Sequence, residues 1–146
     1  MRLIYMAHEY GGKPENLEAA RRWLRLCNDA AAVDGDVVIA HWIAACEVYP
    51  ESDAEVRERQ LRGDEELARR CDETWLVGPR ISRGMAREMS AAMMAGRRVF
   101  AMLTPAGYPV PTVRGVRSFI AACRLTWKPG RVEGNALIGA PMGGDE

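Results

Sequence analysis

A carboxylate on the apolar face of a helix is the first chemical feature of this 146-residue chain. In SRGMAREMSAAMMAG, residues 82–96, apolar and small side chains recur at the spacing of one α-helical face. That face comprises Met85, Met89, Ala92, Ala95 and Gly96. Glu88 falls inside the same face, among side chains small enough to leave space above it. A buried carboxylate without a partner is costly or takes up a proton, so we expect Glu88 to be paired or to line a cleft.

A second helical pattern carries a similar carboxylate. In ESDAEVRERQLRGDEELARRCD, residues 51–72, Asp64 falls in the middle of the apolar cluster on a helical wheel. The members of that cluster are Val56, Leu61, Leu67, Ala68 and Cys71. Two helices that flank the apolar stretch TWLVG therefore each offer one carboxylate to the inside.

Each carboxylate also has a purely structural interpretation. Glu88 fits an edge position that is favoured by the positive end of its helix. Gly63 could break the charged helix and turn Asp64 outward.

Ser82 stands immediately before the first of these helices. A serine at this position caps free backbone N–H groups, and the same N–H groups with a hydroxyl make a phosphate site. Capping is the commoner role, whereas the neighbouring Arg80 and Arg83 favour an anion.

The elements that must position these side chains alternate between strand and helix. Apolar strand patterns lie at 2–7, 37–40, 74–78 and 97–103, and helical patterns lie at 14–30, 51–72, 82–96 and 112–127. Strands that are apolar throughout and separated by helices predict a parallel sheet covered on both faces. We therefore predict an α/β domain over residues 1–126, with a Rossmann- or flavodoxin-like doubly wound sheet of four to five mainly parallel strands flanked by helices. Residues 127–146 have the composition of a Gly- and Pro-rich tail.

Composition argues against several classes of protein. Twenty basic and twenty acidic side chains cancel, so no net charge favours nucleic acid or an anionic membrane. Four separated cysteines and two histidines argue against a zinc site, and we predict neither a metal nor a cofactor. No apolar run is long enough for a signal peptide or a membrane span. We expect a soluble cytoplasmic protein with reduced thiols.

Three stretches together resemble the nucleoside 2-deoxyribosyltransferase superfamily: YMAHEYGG (5–12), RCDETWLVG (70–78) and ISRGMAREMSAA (81–92). The closer likeness is to the branch of 2′-deoxynucleoside 5′-monophosphate N-glycosidases and its uncharacterised bacterial and phage relatives. The likeness covers about residues 2–103. The core signature is a small polar residue, a glycine and then a glutamate four residues after the glycine. Ser82, Gly84 and Glu88 match it.

The resemblance implies a role for each matched residue. Glu88 is the nucleophile at the anomeric carbon of a deoxyribose, Asp64 is the acid that assists departure of the base, and Tyr5 positions the nucleophile. Ser82 binds the 5′-phosphate, where transferases of free nucleosides usually have Asp. The other residues that we expect to bind the substrate are His8, Gly11, Gly12, His41, Arg83 and Gly84. His8 and Glu9 replace small residues that are common after strand one, and Ser90 replaces a usual glycine.

The implied activity is cleavage of the N-glycosidic bond of a (deoxy)nucleoside 5′-monophosphate, releasing free base or passing the deoxyribosyl group to another base. The implied partners are a small nucleotide or nucleoside and a second copy of the chain, in a homodimer or higher homo-oligomer. One alternative is a non-catalytic protein that binds, senses or sequesters a nucleotide. Another is an unrelated doubly wound domain whose inward acids are structural.

Overall fold

The computed structural model describes residues 1–104, 112–122, 126–128 and 131–133. Four parallel strands form its central sheet in the order β2-β1-β3-β4. They are β1 (Leu3–Ala7), β2 (Val37–Ile39), β3 (Glu73–Gly78) and β4 (Arg98–Leu103). Every residue of β3 is buried, as is typical of a parallel strand covered on both faces. The predicted α/β class and the four strand positions are confirmed.

The described residues include five helices: α1 (Pro14–Ala32), α2 (His41–Val48), α3 (Ala54–Arg70), α4 (Arg83–Met94) and α5 (Val113–Ala122). Helix α1 packs against α5, and α3 packs against α4. Parallel strands joined by right-handed crossovers place these two pairs on opposite faces of the sheet. None of the helices in the described ranges is long and apolar enough to cross a membrane.

Helix α2 has no counterpart among the predicted elements. Trp42, Ile43 and Ala45 are buried, but Ala44 and Val48 are exposed although they are apolar as well. Apolar residues occupy both sides of this short helix, so its sequence does not show the periodic pattern that predicts an amphipathic helix.

The sequence predicts Ser52 or Asp53 as the N-cap of α3, and Asp53 is confirmed, whereas the end of α4 differs from the predicted stretch. Helix α3 begins after Asp53, whose side chain accepts hydrogen bonds from the Glu55 and Val56 amides at 3.1 Å. Helix α4 ends at Met94, followed by Gly96 at φ +73°. Ala95 and Gly96 are exposed, so the prediction that they belong to the packed face was wrong.

The C-terminal part is described in segments. Helix α5 ends at Ala122, five residues before the predicted end, and Cys123 of its predicted inward face lies outside the described residues. Strands β5 (Thr126–Lys128) and β6 (Arg131–Glu133) pair antiparallel, where a tail was expected from residue 127. The division into a domain and a tail stays a prediction.

Candidate active site

A pocket of about 220 Å³ lies at the carboxyl ends of β1 and β3. The segment after β1 contributes residues 8–11, and the segment from Arg80 into the first turns of α4 forms another wall. Helix α3 contributes Arg57, Leu61 and Asp64, and α2 contributes Trp42. Ligand sites of doubly wound sheets occur at this edge of the strands.

Glu88 and Asp64 both line this pocket and are both buried, at 6% and 4% exposure. The hydroxyl of Tyr5 donates a hydrogen bond of 3.0 Å to Oε1 of Glu88. Within the part of the chain that the structure describes, Oε2 of Glu88 has no hydrogen-bond partner. One oxygen of the glutamate is therefore held by the protein, and the other is left for a ligand.

Helix α3 brings Asp64 to the pocket because it is continuous through Gly63. The helix leads into the amino end of β3, so its earlier turns lie toward the carboxyl edge of the sheet. Asp64 faces inward against α4, and the interpretation in which Gly63 turns it outward was wrong.

The electrostatics of the pocket favour one shared proton. Burial, and then the charge of Asp64, raise the pKa of Glu88 to about 8, although the Tyr5 hydrogen bond acts in the opposite direction. Burial raises the pKa of Asp64 to about 6, against the lowering charges of His41 and Arg57. Burial and the two carboxylates raise the pKa of Tyr5 well above its ordinary value, so the phenol stays protonated and remains a donor. At neutral pH the pair of acids holds about one proton.

A second buried glutamate shows what a structural carboxylate looks like in this fold. Glu73 lies at the amino end of β3 and is only 1% exposed. Oε1 of Glu73 accepts from Arg2 at 2.7 Å and pairs with Arg98 at 2.5 Å, and Oε2 accepts from the Trp75 indole at 3.0 Å. Both oxygens of Glu73 are neutralised or hydrogen-bonded, whereas Glu88 has a single neutral donor among the residues that the structure describes.

Ser82 is the N-cap of α4. Its Oγ accepts a hydrogen bond of 3.3 Å from the Met85 amide, so the capping role is present. No hydrogen bond among the described residues uses the amides of Arg83 and Gly84, which precede Met85 in the same turn. The hydroxyl proton and these two amides remain for an anion at the positive end of the helix.

His8 lies in the pocket at 6% exposure. Its Nδ1 donates to the Glu9 carbonyl at 2.6 Å, and Nε2 has no partner in the described ranges. Burial lowers the pKa of His8, so the ring is neutral at pH 7 and Nε2 is an acceptor.

The remaining predicted residues divide into two groups. Gly11, Arg83 and Gly84 line the pocket. Gly12 and His41 are absent from its lining: Gly12 lies against Glu51, and His41 is the exposed first residue of α2.

Arg57 and Trp42 are among the pocket residues that sequence reasoning missed, and one contact was missed as well. Arg57 lies two helical turns before Asp64 on the same face of α3, a spacing that could have identified it. Trp42 was missed with its helix. Glu9 and Arg80 form a bidentate ion pair across the pocket, which no sequence pattern indicates because 71 residues separate them.

Comparison with solved structures shows the class of fold. The chain is similar to a 2-deoxyribosyltransferase from the psychrotolerant bacterium Bacillus psychrosaccharolyticus, with a TM-score of 0.58 and 17% identity. The match covers 80% of this chain and 91% of that chain, and it shows a shared Rossmann-like α/β fold. Residues 2–102 match the model of a family described as Domain of unknown function (DUF7768), and the chain belongs to this family. No curated protein matches the chain.

Proposed function

We propose that this protein cleaves the N-glycosidic bond of a (deoxy)nucleoside 5′-monophosphate, with Glu88 as the nucleophile. The free base is released, or the deoxyribosyl group passes to another base. The observation that carries the proposal is the Glu88 carboxylate, buried and held by Tyr5 through one oxygen, with the other oxygen unpaired in a pocket shared with Asp64. The fold shared with a 2-deoxyribosyltransferase supports the same chemistry.

In the first step, Glu88 attacks C1′ of the sugar and forms a glycosyl-enzyme ester. The C1′–N bond breaks, its electron pair passes to the base nitrogen, and Asp64 supplies the proton that the departing base needs. This step requires an ionised Glu88 and a protonated Asp64. In the free protein the higher pKa of Glu88 places the shared proton mainly on Glu88. Positive charge that develops at C1′ stabilises ionised Glu88 and thereby moves the proton to Asp64.

In the second step, an acceptor attacks C1′ and the ester bond to Glu88 breaks. If the acceptor is water, Asp64 takes its proton and the products are the sugar phosphate and free base. If the acceptor is a second base, its N–H proton passes to Asp64 and a new nucleotide forms. Both routes regenerate Glu88 as a carboxylate and Asp64 as an acid.

The start of α4 supports a phosphorylated substrate. The Ser82 hydroxyl and the free amides of Arg83 and Gly84 line the same pocket as Glu88. The pocket is smaller than the roughly 300–1,000 Å³ typical of sites for drug-sized ligands. It suits a sugar phosphate, with the base reaching toward Trp42 and Arg57 at the α2–α3 side.

The decisive experiment is incubation with each nucleoside and deoxynucleoside 5′-monophosphate, with free base measured by chromatography. We expect release from at least one monophosphate and complete loss of release in Glu88→Gln. Glu66→Gln is the matched control, because it makes the same change on a half-exposed carboxylate of α3 outside the pocket. Addition of a second base tests transfer. Tight binding of a nucleotide without base release would instead support a sensing or sequestering protein. If the protein neither binds a nucleotide nor releases base, the proposal is overturned.

A further inference from the structure

We propose that Arg80, held by Glu9, binds the 5′-phosphate of the substrate and sets the preference of this pocket for nucleotides over nucleosides. This inference rests on the proposed function and assigns its substrate selectivity to one ion pair.

The ion pair joins the segments that follow β1 and β3. Nε of Arg80 donates to Oε2 of Glu9 at 2.6 Å, and Nη2 donates to Oε1 at 2.8 Å. The Glu9 side chain is 12% exposed and that of Arg80 is 70% exposed. The guanidinium of Arg80 lowers the pKa of Glu9, so the acid is ionised at neutral pH. A buried, charged anchor thus fixes the orientation of an arginine that reaches into solvent at the pocket.

This pairing leaves one edge of the guanidinium available. Arginine has five N–H donors in one plane, and Glu9 occupies the edge formed by Nε and Nη2. No hydrogen bond in the described ranges uses Nη1 of Arg80. The edge formed by Nη1 and Nη2 matches the bidentate geometry of a phosphate.

The position of Arg80 suits a phosphate whose sugar contacts Glu88. Arg80 lies two residues before the Ser82 cap and lines the pocket together with Ser82 and Gly84. An independent sign that the pocket takes a ligand is Oε2 of Glu88, which is buried in the same pocket without a partner among the described residues. The guanidinium also neutralises Glu9, which would otherwise repel an anion.

The test compares the monophosphate that the wild-type protein prefers with its nucleoside. For Arg80→Gln we expect KM for the monophosphate to rise by about 10- to 100-fold, the usual effect of losing a charge-assisted pair. KM for the nucleoside and kcat for both should stay close to wild type. Arg22→Gln, an exposed arginine of α1, is the matched control. Equal effects on both substrates, or no effect on either, would overturn the inference.

The variant Glu9→Gln distinguishes two effects of Glu9: the positioning of Arg80 and the repulsion of a phosphate by the negative charge of Glu9. Removal of a negative charge beside the pocket should by itself strengthen phosphate binding. If Glu9 positions Arg80, the variant should instead bind the monophosphate more weakly, with nucleoside binding unchanged. Tighter phosphate binding in Glu9→Gln would overturn the positioning role.

Calorimetric binding of the nucleoside monophosphates and of deoxyribose 5-phosphate provides a readout that does not depend on turnover. If the wild-type protein binds a monophosphate without releasing base, the proposed glycosidase activity is refuted. If Arg80→Gln also weakens that binding, the role of Arg80 in phosphate binding is still supported. If the wild-type protein releases base and Arg80→Gln binds the monophosphate normally, only this inference fails. If the wild-type protein binds no monophosphate at all, the inference about Arg80 is overturned as well.

Discussion

The Tyr5 hydroxyl and Oε1 of Glu88 lie 3.0 Å apart, in a hydrogen bond that joins the middle of β1 to the second turn of α4. Tyr5 is fully buried and its phenol remains protonated, so the bond has one direction, from tyrosine to glutamate. It orients the carboxylate and stabilises its ionised form, which is the nucleophile in the proposed reaction.

Tyr5→Phe should therefore reduce kcat while the fold is kept. A hydrogen bond to a charged group contributes about 1.5–3 kcal/mol, which corresponds to a loss of about 10- to 100-fold. Because the bond lowers the pKa of Glu88, its removal should also move the pH profile upward. Steady-state rates across pH measure both effects, with the exposed Tyr49→Phe as control. A Tyr5→Phe protein with the wild-type profile would show that the hydrogen bond is structural.

The pH–rate profile should be bell-shaped. In the proposed mechanism the reactive state holds one proton on the Asp64–Glu88 pair, and this state predominates between pH values of about 6 and 8. Below that range both acids are protonated and no nucleophile is available, and above it both are ionised and no acid is available. Rates of base release between pH 4.5 and 9.5 test this, and a flat profile through pH 6–8 and beyond would contradict it.

The helical wheel identified Glu88 and Asp64 because a charged residue on an apolar face breaks a periodic pattern. The strands were predicted because both faces of a parallel sheet are covered, so the segments are apolar throughout. The role of Tyr5 has no such signal, since a tyrosine in a buried strand has the pattern of a core residue. The resemblance, and not the periodicity, indicated it.

Contacts between distant segments could not be predicted in the same way. The Glu9–Arg80 pair depends on two loops that meet only because β1 and β3 are neighbours in the sheet. Strand order in turn depends on crossovers that a single sequence does not encode as a local pattern. Arg57 differs from these residues, because it lies on the same helix as Asp64 and its spacing from Asp64 places both on one face.

Glu88→Gln should stabilise the protein, and the gain should grow with pH. The folded-state pKa of Glu88, about 8, lies above the ordinary value of 4.5. Below pH 4.5 the acid is neutral in both states, and between 4.5 and 8 the unfolded chain ionises first, so the folded protein loses stability as pH rises. Since each pKa unit corresponds to about 1.4 kcal/mol, we expect a gain of a few kcal/mol above pH 8 and little at pH 4.5.

Thermal unfolding of wild type and Glu88→Gln at several pH values measures this difference. A gain of about 5–10 °C in Tm at pH 9 is expected for a chain of this size. Glu66→Gln controls for the loss of a carboxylate, since ion pairs with Arg70 and Arg69 lower the pKa of Glu66. A Glu88→Gln protein that is less stable than wild type at pH 9 would mean that the ionised glutamate is favourably solvated in the pocket.

Asp64→Asn should affect substrates according to their leaving base. An amide cannot supply the proton that an ordinary purine or pyrimidine needs, so kcat should fall by about 10²- to 10⁴-fold. A 7-methylguanine nucleotide carries a positive base that departs as a neutral molecule without protonation. On that substrate kcat of Asp64→Asn should be less than about tenfold below that of wild type, once the uncatalysed rate is subtracted from both. Equal losses on both substrates would show that Asp64 does not act as the acid.

Gly78 sets the position of His8 in the pocket, because the last residue of β3 lies directly against the imidazole. A Cβ at Gly78 would lie 2.7 Å from Cδ2 and Nε2 of His8, and the backbone there has φ +109°. Gly78→Ala should therefore displace the ring and strain the backbone, at a cost of about 2–4 kcal/mol. Gly63→Ala is the control, since its Cβ meets nothing within 4 Å and alanine should stabilise α3 by about 0.5–1 kcal/mol.

The double variant Gly78→Ala with His8→Ala distinguishes the clash with the imidazole from the strain in the backbone at residue 78. Removal of the imidazole relieves the clash but leaves the strained backbone, so part of the lost stability should return. Denaturant unfolding gives the free energies, and monophosphate binding shows whether the pocket has changed shape. Because His8 lines the pocket, a displaced ring should make binding weaker in Gly78→Ala than in the double variant. A Gly78→Ala protein as stable as wild type, with unchanged binding, would mean that His8 moves aside without cost and does not shape the pocket.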